Sequence, residues 1–451
     1  MSGQGIVQPP LDPGALETLR DRAERILAEA KRQGATSAEV GLSLSQGLSV
    51  TARLGEVETL EFHRDRGVSL TVYFGQRKGS ASSGDDADAS ISEMVAAACA
   101  IARHTGEDPC AGIAEAELLA QQIPDLDLYH PWALTPEQAI EQALACEAAG
   151  RSDARIVNSE GATISTGSSL RWYANSNGFS AGYPSSRHSR SCVLVAEQDG
   201  VMQRDYWYDS RRNASDLADV QAVGEKAMQR TLARLGASCP ETAKLPVLFA
   251  PEVAAGLLGH LVGAISGGSL YRNASFLKDR LGETLFPDWV SIEEQPLLKG
   301  ASGSAPFDHD GLATRQQAFV RDGVLSHYAL GLYAARRLGM TPTGNGGGVR
   351  NLSISNSGET QQQLLKKMDR GVLVTEAMGP GVNLVTGDYS RGAGGFWVEN
   401  GEIQYPVENF TLASHLGDMF RHLAGAGTDV DDRGNIRVGS LLIEQMNIAG
   451  R

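Results

Sequence analysis

The helix-like run Gly256–Ser269 (GLLGHLVGAISGGS) carries one histidine, His260. A zinc site on a helix needs a second ligand about one turn away, because positions i and i+4 share a face. The residues four before and four after are Gly256 and Ala264. Glu252 lies two turns back, too far to chelate with His260 alone, and the next residue is Leu261 rather than a glutamate base. His260 therefore reads as a histidine packed in a glycine-rich helix, and this chain is assigned no metal ligand and no catalytic residue. Asp308-His309-Asp310 suggests an acid–base cluster. It precedes Gly311 in a polar stretch and reads as a loop of solvated charges. Asp125 and Asp127 read as turn and surface residues. No GxSxG nucleophile elbow occurs, and GDYSRG (Gly387–Gly392) has one residue too many before its serine. GNGGG (Gly344–Gly348) lacks the Lys-Ser/Thr pair of a phosphate loop.

The densest polar segment is Val385–Val407. Asp388, Tyr389, Ser390 and Arg391 stand between Gly387 and Gly392, and Phe396-Trp397 lead into Asn400-Gly401. Polar side chains on a glycine-framed loop against a strand would form a binding edge. Equally, this is a structural loop whose Arg391 satisfies backbone carbonyls.

These groups must be positioned by a chain of 451 residues, long enough for several domains. Acidic residues number 54 and basic ones 40, for a net charge of −14. That balance repels phosphate backbones, and the basic clusters (Arg187–Arg190, Arg211-Arg212, Lys366-Lys367) are short, so no nucleic-acid partner is expected. The cysteines (Cys99, Cys110, Cys146, Cys192, Cys239) form no CxxC, which argues against a disulfide framework or a thiolate zinc site. The apolar run Val253–Ile265 is too short to span a bilayer, so no membrane role is expected. MSGQGIVQPP has neither a basic region nor an apolar stretch, and the expected compartment is the cytoplasm.

The expected fold class is α+β. A helix–antiparallel meander–helix layout occurs twice and a β-rich C-terminal domain follows. Residues 1–12 read as a flexible lead-in, 13–107 as a first α+β region, 108–133 as a linker, 134–240 as a central α+β region and 241–451 as the last domain. Helices are expected at Pro13–Gly34, Asp88–His104, Thr135–Gly150 (Thr135 as N-cap) and Asp216–Leu235. Turns are expected at Gln46-Gly47, Gly55-Glu56, Asp65–Gly67 and Gly75-Gln76. In the last region a helix starts at Pro251, a second covers Ser275–Leu281, and hairpins turn at Asp322-Gly323 and Asn400-Gly401.

Three stretches carry a family resemblance: GEVETLEFHRDRGVSLTVYFGQRKGSASS from Gly55, GHLVGAISGGSLYR from Gly259, and TGDYSRGAGGFWVENGEIQYPV from Thr386; RHTGEDPCAG from Arg103 corresponds to a further family segment. Through them the chain resembles the PmbA/TldD peptidase family, and within it the PmbA (TldE) branch. Active members are metallopeptidases with HExxxH on the helix and a further C-terminal cysteine ligand. This chain departs from that pattern: its helix has only His260, and no cysteine follows Cys239. The resemblance implies a subunit that pairs with a TldD-like HExxxH chain as a heterodimer, with a homodimer possible when alone. Zinc is then expected in the partner and no cofactor in this chain. The implied substrates are extended peptides of the microcin-precursor or antitoxin type. Gly387, Asp388, Tyr389, Ser390, Arg391 and Gly392 would support or contact substrate, and His260 would mark a degenerate metal-helix position. A self-sufficient homodimeric hydrolase and a non-proteolytic peptide-binding scaffold are the competing readings.

Overall fold

The computed structural model describes residues 11–85 and 87–451. Most of the 1–12 lead-in lies outside the described residues. Its last apolar residue, Leu11, is buried in the first core, and its carbonyl accepts the Tyr129 hydroxyl.

Helix α1 (Ala15–Arg32) buries Leu19, Ala23, Ile26 and Ala30, a stripe at helical spacing. Three strands follow: β1 (Ser37–Arg53), β2 (Glu56–Phe74) and β3 (Arg77–Ser83), then α2 (Asp88–His104). The expected turns at Gln46-Gly47 and Asp65–Gly67 do not exist. Gln46 pairs with Arg64, Gly47 with His63 and Asp65 with Ser45, inside one long hairpin. Glycine inside a strand mimics a turn signal, but here it relieves crowding: a Cβ on Gly47 would lie 2.4 Å from the His63 ring.

The layout then repeats. Helix α3 (Pro136–Gly150) opens with a capping box in which Thr135 accepts from the Gln138 backbone and Gln138 from the Thr135 backbone. Strands β4 (Ile156–Asn175), β5 (Ser180–Gln198) and β6 (Val201–Arg211) lead to α4 (Val220–Ala233), capped by Asp219. The chain between Asp216 and Asp219 is therefore not helical as expected. Antiparallel pairing of β1 with β4 fuses both meanders into one sheet, ordered β3-β2-β1-β4-β5-β6. Its inner face packs Val40 and Leu42 under α1 and α2, and Val50 and Ala52 under α3.

The last region starts with β7 (Ala243–Phe249), α5 (Pro251–Ile265) and α6 (Gly267–Tyr271). The helix expected at Ser275–Leu281 is a series of turns, because Ser275 bonds back to the Ala264 carbonyl and Asn273 and Asp279 take positive φ. Short strands β8 (Ile292–Glu294), β9 (Gln317–Arg321) and β10 (Val324–Leu325) precede α7 (Leu332–Leu338) and β11 (Leu352–Ile354). Next come α8 (Gln361–Met368), β12 (Gly371–Met378), β13 (Val382–Asn383), β14 (Asp388–Glu399) and β15 (Glu402–His415). The chain ends with α9 (Leu416–Arg421), β16 (Leu423–Ala426), β17 (Ile436–Arg437) and β18 (Leu441–Ala449). Both expected hairpins are present, with positive φ at Asp322-Gly323 and Asn400-Gly401. Pairings β12–β7, β7–β18, β18–β15, β15–β14 and β14–β12 close a ring of strands. Helix α5 seals the ring by burying Ala254, Leu257, Leu258, Leu261 and Ile265 in the largest core. Each such leucine contributes about 1.5–3 kcal/mol of burial.

Candidate functional site

His260 and the 387–392 segment, far apart in sequence, meet in space. The imidazole of His260, on α5, stands edge-on to the Tyr389 ring with centroids 6.0 Å apart. Nε2 of His260 is buried without a hydrogen-bond partner. Burial, and then the nearby charge of Arg391, lower the pKa of this histidine below its ordinary value. Tyr389 is 3% exposed, and burial raises its pKa while Arg391 opposes the shift.

The segment itself is not the expected loop. After the turn at Gly387 (φ +86°), residues from Asp388 onward form β14, with β13 and β12 along one side and β15 along the other. Its glycines permit close strand approach: a Cβ on Gly395 would lie 1.9 Å from the Leu373 carbonyl oxygen. Arg391 donates to the carbonyls of Ala377 (2.6 Å) and Gly379 (3.0 Å), so its guanidinium satisfies the end of β12. The Ser390 amide donates to the Gly381 carbonyl at 2.6 Å. Asp388 accepts the Thr386 hydroxyl at 2.6 Å in an exposed turn. The strand therefore has both edges occupied and offers no backbone edge to a peptide.

Beside Arg391, a cavity of about 270 Å³ separates α5 from α4, β6 and β12. Arg230 bridges Glu252 (2.5 Å) and Asp205 (3.4 Å), and Arg234 holds Glu376 (2.6 Å). Its charges are thus largely paired with one another.

A larger cavity, about 830 Å³, lies elsewhere, between the outer face of the N-terminal sheet and the 307–310 loop. Here the expectation of solvated charges fails. Asp308 is 1% exposed and accepts three backbone amides, those of Asp310 (2.9 Å), Leu312 (2.9 Å) and Gly346 (2.7 Å). Burial, then the Asp310 charge, push its pKa up to about 6 against these bonds. Asp310 accepts the Leu332 amide at 2.8 Å, and Glu39 accepts the hydroxyls of Tyr73 and Tyr173, each at 2.8 Å. Burial raises the Glu39 pKa; the phenol bonds oppose it. His309 is exposed and lies 3.3 Å from Arg171. Asp308 also explains the GNGGG loop. Together with Arg350, which donates to the carbonyls of Gly344, Gly346 and Gly348, it ties that loop down as structure. An aspartate two residues before another, ahead of a glycine, was the available signal; only the fold shows that it is buried.

Profiles of the PmbA/TldA metallopeptidase domains match residues 38–102 (domain 1), 129–235 (central domain) and 242–450 (C-terminal domain). The metalloprotease PmbA of Escherichia coli O157:H7 is 49% identical over 427 residues, covering 94% of each chain. The chain belongs to the PmbA/TldA metallopeptidase family. The fold agrees. A candidate modulator of DNA gyrase from Bacteroides thetaiotaomicron superposes with a TM-score of 0.92 at 27% identity, covering 96% of this chain and 99% of that one. TldE from Thermococcus kodakarensis shares the fold with a TM-score of 0.83 at 19% identity, covering 95% and 100%.

The family name implies a metal, and the residues around His260 do not fit one. Its turn neighbours Gly256 and Ala264 carry no ligand atoms, and the nearby charge is a guanidinium, which would repel a cation. Among the described residues no three His, Cys, Asp or Glu side chains converge to hold an ion. No described helix is long and apolar enough to cross a membrane.

Proposed function

We propose that this chain is the non-cleaving subunit of a two-chain cytoplasmic metallopeptidase. Its partner is a related chain bearing HExxxH and zinc, and the substrates are extended, unfolded peptides of the microcin-precursor or antitoxin kind. The observation that carries the reading is His260 itself. It occupies the helix of a metallopeptidase family without a second ligand, without a glutamate base, and with Arg391 as its charged neighbour. A metal-activated water needs both a filled ligand set and a base, and the residues one turn from His260 supply neither.

In this reading the chain's own groups hold structure and substrate. Arg391 locks β12 to β14, and the Tyr389 ring packs edge-on against His260. The closed ring of strands then presents a rigid wall to the partner. Support also comes from the relatives: the Escherichia coli protein, alike over nearly its whole length, is named a metalloprotease. The test is an affinity capture of the tagged chain from its native lysate. A near-stoichiometric HExxxH-bearing partner is the expected result. Recovery of this chain alone, while that partner is expressed, would contradict the reading.

A further inference from the structure

Strand β2 is longer than its outer neighbour. β3 pairs only with Val68–Phe74, whereas β1 pairs with β2 along its length. Among the described residues, no strand pairs with the outer side of Glu56–Gly67. That is an open run of backbone donors and acceptors about 40 Å long at ~3.4 Å per residue. Leu60 and Phe62, 41% and 38% exposed, lie along it.

The inner end of this edge opens into the 830 Å³ cavity, since Arg66, Gly67, Ser83 and Gly84 line it. The cavity floor is low. Gly41 pairs with Ser69 and Ser43 with Gly67, and a Cβ on either glycine would lie within 2.9 Å of the facing serine Oγ. Above the floor stand the rings of Tyr173, Tyr183 and Phe307 and the carboxylates of Glu39, Asp308 and Asp310. Arg171, on the far side, is engaged with His309.

We propose that the free edge of β2 and this cavity form a strand-addition site for an extended polypeptide. The incoming chain pairs with Glu56–Gly67 through its main chain. It turns a lysine or arginine over Gly67, so that the aliphatic stem lies against Tyr173 and Tyr183 and the charged head faces Asp310 and Glu39. Main-chain pairing is tolerant of sequence, and the carboxylates add a preference for basic residues. The charges along β2 (Glu58, Glu61, Arg64) and its bulge opposite Thr51/Ala52 disfavour pairing with another sheet edge, while a flexible single strand can adapt. The inference rests on the proposed peptide-holding role and locates it away from β14.

The test uses the full chain and a fluorescein-labelled peptide of about twelve residues, alternating Thr and Val with two central lysines. Anisotropy gives affinity, and amide hydrogen exchange locates the site. Expected are slowed exchange at residues 56–67 and about tenfold or greater weakening when alternate peptide nitrogens are methylated, which removes their N–H groups. Similar weakening is expected for Ser69→Trp, which fills the cavity from an exposed position, and for replacement of the lysines by glutamates. Protection confined to other segments, or binding indifferent to N-methylation, would overturn the site. Protection of 56–67 that grows with protein concentration without peptide would overturn it in favour of a second copy of this chain. Cleavage by an HExxxH partner is read separately. Peptide binding without support of cleavage would count against the subunit reading alone, and support of cleavage without protection at β2 against this site alone.

Discussion

Two regions of the molecule contrast. The region around His260, Tyr389 and Arg391 holds the strongest sequence signature, and it is packed shut: β14 is paired on both sides and Arg391 is spent on backbone carbonyls. The junction between the N-terminal sheet and the 307–310 loop carries no catalytic motif, although β2 lies in one of the family-like stretches, and it holds a cavity of about 830 Å³, the buried Asp308 and an open strand edge. The difference teaches that a distinctive segment can be distinctive because its packing is demanding. Glycines at β14 are required where backbones nearly touch. Openness at the junction needs only small residues such as Gly41, Ser43, Gly67 and Ser69, which spell no catalytic motif.

The contrast can be broken most forcefully at Asp308. Asp308→Ala leaves three amides, two of them buried, without their acceptor; at about 1–3 kcal/mol for each buried one, a loss of about 2 kcal/mol or more is expected in urea unfolding. A cost below about 1 kcal/mol would mean that the loop is solvated after all. Smaller is the pH dependence of the same group. Its pKa is raised in the folded state to about 6 from an ordinary 3.8. The folded state therefore holds the proton more tightly, and its stabilising contribution is full below about pH 4. It is lost as pH rises through about 6, at most about 3 kcal/mol at 1.4 kcal/mol per unit. Wild-type stability measured relative to Asp308→Asn, which does not titrate, should fall over that interval; a relative rise would contradict the assignment. Next is Arg391→Lys, which cannot reproduce the fork to Ala377 and Gly379 and should cost about 1–2 kcal/mol. Smallest is Asp388→Ala, expected within about 0.5 kcal/mol because Asp388 is exposed and bonds only locally. A larger loss from Asp388→Ala than from Arg391→Lys would reverse the reading of this segment.

Local signals were legible where local physics decides. The amphipathic run Asp88–His104, the Thr135/Gln138 capping box and the two positive-φ hairpin turns lie where expected. Gln46-Gly47 and Asp65–Gly67 misled because a glycine that relieves strand crowding has the same appearance as one that turns. The fusion of the two meanders depends on β1 meeting β4 more than a hundred residues away, which no local pattern encodes. Asp308 was misread for a related reason. Its burial comes from Gly346 and the N-terminal sheet, both distant in sequence. The neighbours one turn from His260, Gly256 and Ala264, are read from the sequence alone, whereas its contact with Tyr389 emerges only in three dimensions.

In the proposed pairing, cleavage belongs to the partner. The direct measurement is peptide cleavage and bound zinc for the purified chain, alone and after titration with an HExxxH-bearing family member. Expected are no cleavage and no stoichiometric zinc for the chain alone, with activity rising to saturation near one partner per chain. Stoichiometric zinc together with cleavage by the isolated chain would contradict that pairing.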